Sequence, residues 1–275
     1  MIARVMMPLS TAIVVGGLTT LLATITIKGI PAMSWEMISR PPEAGFYLGG
    51  GGGLLNAILG SLLVAGGATI LAFLVGLPIA FYLQKGYVGG RRRAEWLRLF
   101  FDILNGIPSL LYGAFGFLIM IIFGLHASLL AGILAVALLE LPLIVRGVDE
   151  TLRMVPESIV ESSLAVGATR IETMIRVGAR QAAPGIVTAV LVAAGRGFGD
   201  AASVLFTAGF TDHLPTSLFE PVATLPLSVF FLLNTPLPET QARAHAAAFI
   251  LLLIVSALSI GGRLLAARFA RFTVK

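Results

Sequence analysis

The sequence predicts an all-α membrane protein with six transmembrane helices, and three observations predict it. Only 12% of the 275 residues are charged and 57% are apolar, against roughly 25% and 45–50% in an ordinary soluble domain. Mean hydropathy is +0.96, so the chain cannot cover a globule's surface with polar groups. The charges also punctuate the chain, separating long uncharged runs with basic clusters. A soluble enzyme, a disordered chain and a secreted disulfide scaffold are excluded. The absence of cysteine removes disulfides, iron–sulfur clusters and thiol chemistry.

Between Arg4 and Lys28 lie 23 uncharged residues, enough for one helix across a hydrocarbon core of about 30 Å. The run exceeds the apolar core of a signal peptide, about 7–15 residues, so it reads as a retained span. The glycine run Gly49–Gly53 reads as a flexible approach to a second span from about Leu54 to Leu83. Residues 1–53 are therefore expected to form an N-terminal span and an external glycine-rich loop, with 54–275 as the core domain. From Ile103 to Leu139 there are 37 uncharged residues, right for two spans broken at Gly124-Leu125-His126, near 103–123 and 127–145. Pro184 to about Thr207 makes a fifth span, interrupted by Arg196 and Asp200, and His245 to Gly262 a sixth. Pro221–Leu233 is apolar but short and carries Pro226, so it reads as a re-entrant or interfacial helix.

Six spans place 15 of the 19 Lys and Arg residues on one side, which the positive-inside rule makes cytoplasmic, with both termini there. The net charge of +5 is thereby explained without nucleic acid. Arg91-Arg92-Arg93 suits anionic lipid head groups at the membrane surface.

The loop from about Arg146 to Ala183 differs from the others. Its polar residues Asp149, Glu150, Arg153, Glu157, Glu161, Arg170, Glu172, Arg176 and Arg180 recur at helical spacing among apolar ones, which describes amphipathic helices outside the membrane. Pro156 suits a first turn. Gly167 reads as a C-cap and Thr169 as a new N-cap, starting a second short helix near Arg170. The unit is helix, tight turn, helix.

Glu161-Ser162-Ser163-x-x-x-Gly167-Ala168 resembles the EAA loop of ABC importer permeases. Asn56–Leu62, Gly106-Ile107-Pro108-Ser109-Leu110-Leu111-Tyr112-Gly113, Arg153–Glu157, Gly167–Arg170 and Gly197–Gly209 narrow the likeness to phosphate permeases of the PstA type. It extends from about residue 54 to the C-terminus. Ser162 and Ser163 replace the two alanines of the signature, Ala179-Arg180 stand where Leu-Pro is usual, and Asp200 replaces a glutamate. The resemblance implies the type I ABC importer permease fold, with the loop as a coupling helix that docks into an ATPase. It also implies a set of partners: a second, PstC-like permease, a PstB-like ATPase pair holding ATP and magnesium, a PstS-like external phosphate-binding protein, and membrane lipid. No cofactor is implied for this chain.

No G-x-x-x-x-G-K-[ST] phosphate loop occurs; Gly86-Tyr87-Val88-Gly89-Gly90-Arg91 lacks its ending. The chain is thus expected to be a transport subunit without its own ATPase site. His126, His213 and His245 are scattered and lack metal-ligand spacing.

Arg196 and Asp200 are the most informative charges. Each costs on the order of 2.5–3.5 kcal/mol at mid-helix, so an interior position is expected. Their i, i+4 spacing permits a pair within one helix, and Gly195, Gly197 and Gly199 thin the helix around them. Two readings stand: Arg196 meets an oxyanion with its bidentate fork while Asp200 holds it, or the two form a structural bridge to the second permease. Arg146 reads as a residue that snorkels to the interface, with Glu140 pairing to it or to a neighbour. Ser109 and Tyr112 either donate to a substrate or satisfy backbone groups freed by Pro108.

The leading expectation is a permease for inorganic phosphate. The sibling reading changes the cargo to phosphonate, sulfate or molybdate. The other classes are an ion-coupled secondary transporter using Glu140 and Arg196–Asp200, and a membrane scaffold or sensor with the loop as a docking platform.

Overall fold

The computed structural model describes residues 2–46, 50–84 and 91–269. Gly49, the glycine-rich stretch 86–90, Lys85, Arg271 and Lys275 lie outside the described residues, as do the side chains of Arg4 and Arg91. Among the described residues the chain is helical, with one isolated β-bridge between Pro42 and Gly52.

The eleven helices are α1 (Ile2–Ala32), α2 (Trp35–Ser39), α3 (Leu55–Tyr82), α4 (Arg91–Gly106), α5 (Ser109–Ile122), α6 (Leu129–Arg153), α7 (Glu157–Ala165), α8 (Arg170–Glu172), α9 (Ala179–Gly199), α10 (Leu225–Leu233) and α11 (Pro238–Phe269). Among the described residues, five stretches are long and apolar enough to cross a membrane, and α4 with α5 make a sixth if that bent pair is one span.

The core is the bundle α3, α6 and α9. On α3, Gly60, Val64, Ala68, Ala72, Gly76 and Ala80 recur every fourth residue and are all buried. A row of small side chains lets another helix approach closely, which is how helices associate where lipid tails are as apolar as leucine. The row faces α6, where Val136, Ile144, Val148 and Leu152 fill the seam. Helices α6 and α9 run antiparallel at similarly close range: a Cβ on Gly147 would meet the Cβ of Ala189 at 2.5 Å, and one on Gly185 would collide with Thr151.

Outside this bundle, α1 rests on α11 where Gly29 meets Phe249 and the His245 carbonyl, while most of its length, including Met7 and Ile13, stays exposed. The short α2 is capped by Ser34, whose hydroxyl accepts from the Met37 N–H at 3.1 Å. Arg243 on α11 ties down the following loop by donating to the Phe46 and Gly50 carbonyls, with its guanidinium 4.4 Å from the Phe46 ring centroid.

Two expected spans change shape, and the expected re-entrant or interfacial helix is shorter than its apolar run. The third does not begin at 103: Pro108, which has no N–H to donate, divides the run into α4 and α5, bent by 95°. The fifth begins earlier and ends earlier, because α8 continues through a π-helical stretch (Thr173–Gly178) into α9, which stops at Gly199. The expected second short loop helix is therefore the first turn of that span. Pro221–Leu233 yields only the nine-residue α10, with Pro226 in its first turn.

Residues 200–224 thus form turns and irregular chain, and the polar backbone groups at their buried positions need partners. The free N–H groups at the start of α6 supply several: Ser128, Leu129 and Leu130 donate to the carbonyls of Thr207, Glu220 and Leu218 at 2.8–2.9 Å. Asn56 of α3 donates to the Thr211 carbonyl at 2.6 Å, and Ser61 accepts from the Leu225 N–H at 2.8 Å. A Cβ on Gly60 would collide with the Ala223 carbonyl, so this glycine admits the irregular backbone against α3.

Candidate functional site

Two places concentrate the predicted residues: the end of α9 within the bundle, and the loop between α6 and α9. At the first, the three glycines Gly195, Gly197 and Gly199 bring α9 to its end at Asp200, whose backbone is extended (φ −84°, ψ 115°). The expected Arg196–Asp200 pair is accordingly not formed, since i, i+4 proximity requires a helix that continues. Asp200 instead turns to its own loop, where its Oδ2 accepts from the Ser203 N–H at 2.8 Å and from the Ser203 hydroxyl.

Arg196 is left exposed, and its Nη1 approaches the Asn105 side-chain oxygen at 3.4 Å. Asn105 stands at the end of α4, directly before the 95° break. The Tyr112 hydroxyl closes that break by donating to the Leu104 carbonyl at 2.7 Å. Its proton is therefore committed to backbone, the second of the two uses expected for it. Ser109, half-buried, opens α5 beside Pro108. Gly113 lets α5 lie on the turn after Asp200: a Cβ there would stand 2.7 Å from the Ser203 carbonyl. A narrow cleft between α3, α9 and α10 takes Asp200, Ser61 and Thr224 into its wall, but not Arg196.

Along α6, Glu140 and Arg146 separate. Six residues apart, they point to different sides of the helix. Arg146 bonds Asp102 of α4 at 2.6 Å and Glu150 at 3.3 Å. Fully buried Asp149 takes Arg98 Nε at 2.7 Å and Gln84 at 2.9 Å, while Arg98 also donates to the Leu83 carbonyl. This network fastens α4 to the ends of α3 and α6. Glu140 is fully buried, and neither of its oxygens has a hydrogen-bond partner.

In the loop, Pro156 precedes α7 and Gly167 follows it at φ +90°, a left-handed value that glycine alone adopts without strain. Thr169 then caps α8 in a capping box: its hydroxyl accepts from the Glu172 N–H, and Glu172 accepts from the Thr169 N–H at 2.9 Å. The Ser163 and Thr173 hydroxyls, 3.0 Å apart, hold α7 against the π-helical stretch. Ser162 instead bonds back to the Ser158 carbonyl. Glu161 is exposed and has no ion pair among the described residues. Around the turn Val166 is 85% exposed and Ile171 62%, an apolar rim beside Gly167 and half-buried Ala168.

Residues 72–273 match the family described as "Binding-protein-dependent transport system inner membrane component". The chain belongs to that family. It is accordingly a multi-pass inner-membrane component of a transport system. It is 34% identical over 264 residues to a "Phosphate transport system permease protein PstA" of Haemophilus influenzae, covering 95% of this chain and 92% of that one. A protein of the same name from Yersinia pestis is 33% identical over 274 residues, covering 96% and 90%. Among solved structures, an inward-facing conformation of the MetNI methionine ABC transporter superposes with a TM-score of 0.66 at 19% identity, covering 78% of this chain and 95% of that chain. That likeness concerns the fold, the type I importer permease expected above.

Sequence reading missed Asn105, Ser203 and the Arg98–Asp149 pair. Asn105 carried a signal, a polar residue just before Gly-Ile-Pro in an apolar run. Asp149 carried another, since it shares the α6 face of Val145, Val148 and Leu152.

Proposed function

We propose that this chain is the transmembrane subunit of an ATP-driven importer of inorganic phosphate and forms half of its pathway. The observation that carries the reading is the exposed Arg196 at the end of α9, on a chain whose full-length relatives bear the name of phosphate permeases. A guanidinium with no carboxylate partner among the described residues keeps its fork for an oxyanion, which it meets with two parallel hydrogen bonds. Asn105 steadies one arm of the fork, the role first expected of Asp200, while Ser109 adds a hydroxyl beside the break. The partner permease closes the pathway from the other side, and a separate binding protein delivers the anion.

The loop residues Glu161, Ser162, Ser163, Gly167 and Ala168 form the surface that receives an ATPase, where ATP and magnesium are bound. Glu161 and the apolar rim at Val166 and Ile171 supply the contact. On this reading the loop and both chain termini face the cytoplasm, in line with the basic residues. The chain performs no covalent step itself.

The test is phosphate uptake by proteoliposomes carrying the whole complex, comparing wild type with Arg196→Lys. Lysine keeps the charge and loses the fork. Uptake should fall at least about tenfold, the equivalent of one lost charge-assisted hydrogen bond; near-normal uptake would mean that Arg196 only braces the fold. Competition with sulfate, molybdate and phosphonate in the same vesicles reports the cargo.

A further inference from the structure

Glu140 is a charge-bearing residue that the permease reading does not use. It lies midway along α6 with no exposed surface, and both carboxyl oxygens are buried without a hydrogen-bond partner. Three helices enclose it. From α9, Gly197 presents bare backbone: a Cβ there would collide with Oε1 and stand 3.0 Å from Cδ. From α3, Thr69 faces the carboxyl, and its own buried hydroxyl closes no hydrogen bond of ordinary geometry. Val136 fills the α6 side.

Among the described residues, no charge on the surrounding helices compensates it. Arg196 and Asp200 flank Gly197 on α9, but their side chains go to Asn105 and Ser203. Arg146 is held by Asp102, and Arg98 by Asp149. Helix α3 carries no charged residue, and Tyr112 of α5 donates to Leu104. A carboxylate stripped of water and of every counter-charge is the costliest state a side chain can occupy, and such groups take up a proton instead.

We propose that Glu140 is a proton-binding site that latches α9 to α6. In the packed bundle it is a neutral carboxylic acid, small and uncharged enough to rest on the Gly197 backbone. When α9 withdraws, water reaches the carboxyl, the O–H bond breaks, and the proton leaves to solvent. The carboxylate left behind cannot return to the seam without recapturing a proton. Acid therefore favours the packed arrangement and base favours separation, and since Arg196 stands in the last turn of α9, the latch sets where that guanidinium stands. The inference is independent of the cargo.

Infrared spectra of the purified complex at neutral pH, wild type minus Glu140→Gln, test it directly. A carbonyl-stretch band of a protonated carboxylic acid should be present in wild type and lost in the variant; a lost carboxylate band instead would overturn the latch. Thermal unfolding supplies the second measurement. Between about pH 6 and about pH 9, spanning the range where an exposed carboxyl has already ionised, wild type should lose stability relative to the variant as pH rises. A constant difference across that range overturns the proposal. Glu140→Leu, which removes the carboxyl altogether, gives the same two readouts where the glutamine variant fails to fold.

Discussion

Helix α6 treats its two buried acids in opposite ways. Near its end, Asp149 is fully buried yet accepts from Arg98 and Gln84, so a complete ion pair stitches three helices together. Midway along, Glu140 is equally buried, with no cation against it and only the Thr69 hydroxyl facing it. The first arrangement is a structural joint, in which the charge is answered in place and the helices have no reason to part. The second is tolerable only in the neutral form, and so ties the packing of α9 on α6 to a proton. Burial alone does not tell a joint from a switch; the partner set does.

Three substitutions probe that contrast. Asp149→Ala should be the most damaging, because it strands the Arg98 guanidinium, only 18% exposed; breaking such a pair costs roughly 3–5 kcal/mol, visible as a large fall in the unfolding midpoint of the detergent-solubilised protein. Gly197→Ala comes next. Its methyl would collide with Glu140 Oε1, and overpacking of this kind costs about 1–3 kcal/mol. The double variant Gly197→Ala with Glu140→Ala should recover most of that loss, which a collision elsewhere would not allow. Glu140→Gln should not destabilise at neutral pH and should gain on wild type as pH rises, because the folded wild type holds a proton that its exposed carboxyl would have released. A loss as large as that of Asp149→Ala would erase the distinction between the two acids.

The sequence already showed where local chemistry decides. Pro156, Gly167 and Thr169 placed the loop turn within a residue, because an N–H-free residue, a left-handed backbone and a capping hydroxyl act on their immediate neighbours. The long apolar runs likewise gave α3, α6 and α11, although the ends of α11 extend well beyond 245–262. Two features were not legible. The halt of α9 at Gly199 depends on what surrounds Asp200: its hydrogen bonds to Ser203 outcompete the i, i+4 pair that spacing alone suggests. The partners of Arg98 and Arg146 lie on helices far away in sequence, and periodicity within one helix carries no information about which neighbour answers a charge. Glu140 was visible as an acid in an apolar run, and only the packing of Gly197 and Thr69 around it shows that no charge answers it.

The central claim is that an external ATPase drives this subunit through the turn at Gly167. The most direct measurement is ATP-dependent phosphate uptake by the reconstituted complex carrying Gly167→Pro, a residue whose φ is fixed near −65° where the turn needs +90°. The account predicts an inserted, assembled protein with uptake at background. Normal uptake by that variant, or phosphate carried by this subunit down an ion gradient with no ATPase present, would contradict it.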